Sequence, residues 1–290
     1  MSEIAKIGFV GTGVMGKSIV KHILSAGHEV TIYTRTKEKA QDLLDLGATW
    51  AESPGEVAAQ VEVIFTMVGY PSDVEEVYYG KTGIFENGKS NLMVIDLTTS
   101  TPTLAIELYN KAQEVGMSSL DAPVSGGDVG AKSGLLSIMV GGDKEVFDKI
   151  EPLFSLFGEN VVYQGKAGAG QHTKMANQIG IASTMIAACE AITYAREAKL
   201  DPELVLKSIT TGAAGSWSLT NLAPRMLNDD YKAGFYMKHF IKDMGIALDE
   251  SRKMKLTLPG LEMAYSMYRN LAEQGFENEG TQSLIKAYDK

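Results

Sequence analysis

Residues 7–16 read Ile-Gly-Phe-Val-Gly-Thr-Gly-Val-Met-Gly, and they decide the fold of the first half of the chain. The apolar run from Ile4 to Val10 has the length of a strand. Gly11, Gly13 and Gly16 follow in G-x-G-x-x-G spacing, and an amphipathic helical stretch over 14–26 comes next. Strand, glycine turn and helix in that order are the context in which this spacing grips a dinucleotide. Gly11 permits the tight turn, Gly13 lets the backbone approach a pyrophosphate, and Gly16 lets helix and strand pack closely. The helix N-terminus offers N–H groups and partial positive charge to the phosphates. Thr12, Val14 and Met15 complete the turn as cofactor-binding candidates.

Working outward, Glu29–Tyr33 reads as a second strand through its β-branched Val30, Thr31 and Ile32. Residues 37–46 place leucines at helical spacing. Val61–Val68 and Leu92–Leu97 read as further strands, separated by helical patterns over 72–79 and 101–115. This alternation predicts βαβ units and a parallel sheet. The pattern changes after residue 164, where Gly165, Gly168 and Gly170 punctuate the chain. Helical periodicity follows over 202–210, 240–254 and 260–273, without strand-like runs. The expected architecture is α/β: a Rossmann-type doubly wound sheet over 1–164, then an all-α domain over 165–290 for substrate binding and oligomerisation.

The end of the second strand bears on the cofactor. An NAD site usually carries an acidic residue there to bind the ribose 2′-OH. This chain reads Tyr33-Thr34-Arg35-Thr36, without a carboxylate. The planar fork of Arg35 suits a 2′-phosphate, with Thr34 and Thr36 as hydroxyl donors, so NADP(H) is expected over NAD(H). Met67 and Val68 close another strand and are expected either on the cofactor or in the core. Thr99 follows a strand end, where open α/β sheets bind ligands.

Composition excludes several classes. Lys and Arg total 27 against 36 Asp and Glu, a net −9, with a pI near 5.1. That balance argues against nucleic acid as a partner. One cysteine, Cys189, rules out an intrachain disulfide framework and a Cys-based zinc site, and the four histidines lack metal-ligand spacing, so no metal is expected. His239 reads as a surface or packing residue. Residues 1–6 run straight into the first strand, which predicts no signal peptide and a cytoplasmic protein. Met175–Ala195 is apolar enough to suggest a membrane helix, but Asn177, Gln178, Ser183, Thr184 and Glu190 interrupt it. The expectation is a helix covered by protein on all sides, with no membrane partner.

Three stretches together resemble the β-hydroxyacid dehydrogenase family, which includes 3-hydroxyisobutyrate dehydrogenases, tartronate semialdehyde reductases and glyoxylate/succinic semialdehyde reductases. Ile7–Gly16 is similar to the family's N-terminal signature. Asp121-Ala-Pro-Val-Ser125-Gly126-Gly127 resembles its substrate-binding motif, and Gly168-Ala-Gly170-Gln-His-Thr-Lys174-Met-Ala-Asn177-Gln178 its catalytic motif. The likeness runs over essentially the whole length.

A lysine at the start of a buried helix is costly to desolvate, which predicts a lowered pKa suited to acid–base work. The resemblance implies the same role for Lys174: proton donor to a carbonyl oxygen, or acceptor in reverse. Ser125, Gly126 and Gly127 offer a hydroxyl and adjacent N–H groups, a nest for a substrate carboxylate. Asn177 and Gln178 project to the helix face of Lys174. Many family members carry Asn at the fourth position after the lysine; here it is Gln178, so Asn177 is the favoured substrate contact with Gln178 left open. The resemblance further implies a pocket closed by Phe235, a cofactor contact from Lys242, support from Asp243, and Thr99 near the nicotinamide, while Lys238 and Lys242, four apart, could instead be a solvated face. Ser216-Trp217-Ser218 is a further candidate wall, with Trp217 as readily a core residue.

These readings lead to an NADP-dependent oxidoreductase of a small anionic aldehyde or β-hydroxy acid, assembled as a homodimer or homotetramer. The rivals are an imine-reducing enzyme of the same fold, against which Lys174 counts, and a nucleotide-binding module without catalysis.

Overall fold

The structure, a computed structural model, describes residues 4–289. The expectation drawn from the first residues falls, for 1–3, outside the described residues. By compactness the chain divides into Met1–Lys174 and Met175–Lys290.

The first unit begins with β1 (Lys6–Val10), α1 (Val14–Ser25) and β2 (Glu29–Tyr33). A 3-10 turn (Lys37–Ala40) leads into α2 (Gln41–Asp45), followed by β3 (Thr49–Trp50), α3 (Pro54–Ala58) and β4 (Val63–Thr66). Then come α4 (Pro71–Tyr79), α5 (Ile84–Asn87), β5 (Met93–Asp96), α6 (Pro102–Glu114) and β6 (Ser118–Asp121). The unit continues with β7 (Val124–Ser125), α7 (Gly127–Ser133), β8 (Leu136–Gly142), α8 (Lys144–Phe154) and β9 (Gly158–Gly165). All described strands join one sheet in the order β3-β2-β1-β4-β5-β6-β8-β7, with β9 on β8.

The parallel block β3 to β6 is the expected doubly wound arrangement, and its order reverses between β1 and β4. One feature departs from a purely parallel sheet: β8 runs antiparallel to β6 and β7. The central strands β1, β4 and β5 are apolar almost throughout because both faces are covered, whereas β9 is mostly exposed or half-buried. Ile7, Phe9, Val63, Phe65 and Ile95 point into one core, where the Phe65 ring meets Phe154 and Phe157 edge-on at 6.1 and 5.9 Å. Ile64 and Val94 alternate to the opposite face, against Val74, Tyr78 and Leu104. Helix starts are fixed locally: Ser53 caps α3 through Glu56 N–H, and Thr101 caps α6 through Leu104 N–H, each with Pro at the first helical position.

A long helix, α9 (Ala169–Glu197), opens inside the first unit and carries the chain into the second. The sequence change sits at the glycines, yet the first turns of α9 belong to the first unit by their contacts. The second unit adds α10 (Pro202–Ile209), a π-helical turn (Ser218–Leu222), α11 (Ala223–Leu227), α12 (Met237–Lys253), α13 (Pro259–Leu271) and a 3-10 stretch (Thr281–Tyr288). It is helical, with one isolated bridge between Tyr236 and Gly280. Its core gathers Met185, Cys189, Phe240, Met244 and Tyr268.

No helix among the described residues is long and apolar enough to cross a membrane. The expectation that α9 is covered on all sides is corrected. Ala176, Gly180, Ser183, Ala187 and Tyr194 are exposed in the single chain. They recur at helical spacing, so one stripe faces outward while Ala182, Met185, Ala188 and Cys189 fill the core.

Candidate active site

The glycine turn is built by close approach. Gly11 has φ +97° and donates its N–H to Tyr33 O at 2.8 Å. A Cβ at Gly11 would lie 2.2 Å from Met67 O, and one at Gly16 would lie 2.1 Å from Gly11 O. A Cβ at Gly13 would meet nothing within 4 Å. That space lies at the start of α1, where no side chain caps the helix. Buried beside it, the Thr12 hydroxyl has no hydrogen-bond partner among the described residues. An open cradle, an uncapped helix N-terminus and an orphaned hydroxyl fit a bound phosphate group. Val14 is exposed, and Met15 packs on the core.

The neighbouring strand ends line up beside this turn. Thr34, Arg35 and Thr36 follow β2. The Arg35 side chain is 79% exposed and lies 3.4 Å from Asp73 Oδ1, while the other oxygen of Asp73 accepts the Tyr70 N–H. Met67 and Val68 follow β4 and are half-buried, packed on the two cores of the sheet. The loops after β4 and β5 are tied together. Thr66 Oγ1 and Thr98 N–H donate to Asp96 Oδ1 at 2.9 and 3.0 Å, and Val68 N–H donates to Thr98 Oγ1. Thr99 sits in the second of these loops. The Tyr78 hydroxyl bonds Thr66, and burial pushes that phenol well above its ordinary range.

Lys174 lies in the second turn of α9 and is buried, 6% exposed. What fixes its helix is Asp121, at the end of β6. Its two oxygens accept Gly168 N–H and Gln171 N–H, both at 2.8 Å. Burial raises the Asp121 carboxyl to about 6, against the pull of those two N–H groups, and nearby Asp96 adds to the rise. Gln171 in turn accepts Ser100 N–H at 3.0 Å and donates to Thr98 O at 2.7 Å. Ser125 ends β7, and Gly126 at φ +131° and Gly127 at φ +64° follow in backbone conformations that side-chain-bearing residues rarely adopt.

In the second unit, Asn177 Nδ2 donates to Gln178 Oε1 at 2.8 Å, and Gln178 Nε2 donates to Asp243 Oδ2 at 2.6 Å. Lys242 pairs with Asp243 Oδ1 at 3.0 Å, both side chains largely buried. These four expected residues therefore form one chain of contacts. Phe235 packs edge-on to Phe240 rather than joining them. Lys238 bonds Asn278 and overlies the Tyr236 ring. Trp217 is 58% exposed, so the core alternative for it is corrected.

The sequence motifs contain Asp121 and Gln171 but give them no role, and they give none to Asp96, Thr98 and Ser100. Apart from the Thr98 N–H, two residues from Asp96, their partners lie 30 to 73 residues away, so spacing does not reveal them. The one legible signal is at Asp96, which closes the apolar run over 93–95 and must find donors when buried.

Residues 6–165 match the family model described as the NAD binding domain of 6-phosphogluconate dehydrogenase. Residues 168–288 match that described as NAD-binding of NADP-dependent 3-hydroxyisobutyrate dehydrogenase. The chain is 59% identical to an uncharacterized oxidoreductase of Bacillus subtilis, over 98% of this chain and 99% of the relative. It is 34% identical to 2-hydroxy-3-oxopropionate reductase of Escherichia coli, over 98% and 97%. A solved structure of Mycobacterium tuberculosis 3-hydroxyisobutyrate dehydrogenase with L-serine superposes with a TM-score of 0.90 at 27% identity, over 99% of this chain and 100% of that one.

Proposed function

The chain belongs to the β-hydroxyacid dehydrogenase family, and from that premise we propose that it reduces a small anionic semialdehyde, or oxidises the matching β-hydroxy acid, with NADP(H) and with Lys174 as acid and base. The observation that carries this reading is Lys174 itself, buried on a helix whose first turn is held by Asp121, in the same unit as the glycine cradle.

Gly11–Gly16 would hold the pyrophosphate, Arg35 with Thr34 and Thr36 the 2′-phosphate, and Met67, Val68 and Thr99 the nicotinamide end. Lys242 is a further cofactor contact in this reading. When bound, the nicotinamide supplies or takes the hydride. In reduction the carbonyl carbon gains that hydride, the C=O π pair moves to oxygen, and Lys174 Nζ gives that oxygen a proton and is left neutral. The positive charge of Lys174 also stabilises the oxyanion as it develops. Ser125, Gly126 and Gly127 would grip the acid end, with Asn177, Gln178, Phe235 and Asp243 completing substrate contacts. The exposed stripe on α9 supports a homodimer or homotetramer, and a single buried, free Cys189 supports a cytoplasmic setting.

The experiment is oxidation of NADPH and NADH over glyoxylate, succinic, tartronate and methylmalonate semialdehydes and sulfolactaldehyde, with Lys174→Ala beside the wild type. The reading expects NADPH-dependent turnover that falls by about three orders of magnitude in the variant. Turnover unaffected by the substitution contradicts it. Cofactor binding without turnover on any aldehyde moves the assignment to imines or to a binding role.

A further inference from the structure

Lys174 is three residues beyond Gln171 on α9, so the two side chains rise from the same face of the helix, one turn apart. Gln171 is fully buried, and its side-chain amide is held by fixed backbone. It spans Thr98 O and Ser100 N–H, bracketing Thr99 as a paired strand would. The Gln171 N–H is held by Asp121. Space around that carboxylate is exhausted. A Cβ at Gly170 would fall 2.4 Å from Met139 O and 2.8 Å from Asp121 Oδ2, and one at Gly141 would fall 2.5 Å from Asp121 Oδ1. The start of α9 thus has one seat, between the ends of β5, β6 and β8.

We infer that Asp121 and Gln171 are positioning residues for the reaction, fixing Lys174 relative to the Thr99 loop through two backbone-directed braces. The inference rests on the reading of Lys174 as acid and base. Physically, a flexible long side chain such as lysine is aimed by its helix. A displacement of about 1 Å at a reacting group can cost about 100-fold in rate. An ionised carboxylate makes a stronger bond to a backbone N–H than a neutral acceptor does, at the cost of burying charge. The ionisable groups facing the braces are Asp96 from β5, Asp121 from β6 and Lys174 from α9, whereas Lys166 and His172 of the same segment are exposed.

The test uses Asp121→Asn, Gln171→Glu, Lys174→Ala and the double variant Asp121→Asn with Lys174→Ala in the full chain, read by kcat, KM for the aldehyde and NADPH affinity. The asparagine side chain keeps one acceptor but points an amide N–H at a backbone N–H. We expect Asp121→Asn to lower kcat about 100-fold with NADPH affinity unchanged, and to cause no further fall when Lys174 has already been replaced by alanine. In Gln171→Glu the new carboxyl donates to Thr98 O only when protonated, so the ratio of its kcat to wild type should climb as pH falls. A kcat unchanged in Asp121→Asn with a flat pH ratio in Gln171→Glu overturns the inference. So does an equal loss from Asp121→Asn with and without Lys174, because Asp121 would then act elsewhere. If Asp121→Asn prevents folding, seen as lost NADPH binding, the pH ratio of Gln171→Glu decides alone. Full activity in Lys174→Ala sinks the acid–base reading itself, and that failure is distinct from braces that prove silent while Lys174→Ala is slow.

Discussion

Asp96 and Asp121 are register partners on the parallel strands β5 and β6, and both carboxylates are buried, 4% and 5% exposed. Two acids side by side in a sheet are held there by donors: Thr66 and Thr98 for Asp96, Gly168 and Gln171 for Asp121.

Burial leaves Asp121 with a carboxyl near 6 in the folded chain, against 3.8 when unperturbed. Between those values the folded state keeps a proton that the unfolded chain has released. Stability from this group is therefore present below about pH 4 and is lost as pH rises through about 6. Asp121→Asn has no such titration. The Tm of the wild type, measured relative to that variant, should rise as pH is lowered from about 7 to about 5. A difference that stays flat would contradict the assignment.

Gly13 and Gly16 should separate binding from folding. Gly13 has φ −71° and ψ −165°, open to any residue, and faces empty space. Gly13→Ala should cost at most about 1 kcal/mol of stability while its methyl excludes the pyrophosphate. Gly16→Ala forces its methyl onto Gly11 O and should lower both stability and cofactor affinity. Thermal unfolding with and without NADPH reads the two effects apart.

Arg35 should discriminate between cofactors. Its ion pair with Asp73 is long and solvated, worth little to the fold. Arg35→Ala should leave Tm unchanged and lower kcat/KM for NADPH about tenfold or more, with kcat/KM for NADH nearly unaltered. An equal loss with both cofactors would remove Arg35 from the 2′-phosphate.

Asp243 should matter to the second unit as a counter-ion. Asp243→Ala removes the carboxylate paired with the largely buried Lys242 side chain and releases Gln178, and should cost about 3 kcal/mol in urea unfolding. Adding Lys242→Met should restore part of that loss, because the charge that Asp243 balanced is then removed with it.

Much of the first unit is legible in the sequence because its signals are local. A strand, three glycines and a helix can be read within a short stretch, and β2, β4 and β5 are β-branched or apolar runs bounded by polar residues. The stretch from Ser118 to Gly165 is not. There β7 is two residues long, and β8 (Leu136–Gly142) ends in two glycines and finds its partners on β6, β7 and β9. Such pairing is tertiary and leaves no period in the sequence. The same holds for the site: Lys174 stands out by motif, whereas the braces at Asp121 and Gln171 depend on backbone groups far along the chain. The outward stripe of α9 escapes a sequence reading because small residues are compatible with either close packing or exposure.

The strand β9 closes the sheet on the side of β8, and its eight residues have no further strand beyond them among the described residues. A bare edge of that length invites another chain to add itself by backbone pairing. Here the ladder with β8 slips twice, between Leu136 and Ser137 and between Val140 and Gly141, and Glu159 stands exposed on the strand. Such slips bend and twist a strand away from the flat template that stacking requires. The edge at β9 is therefore a poor template for another sheet to stack against.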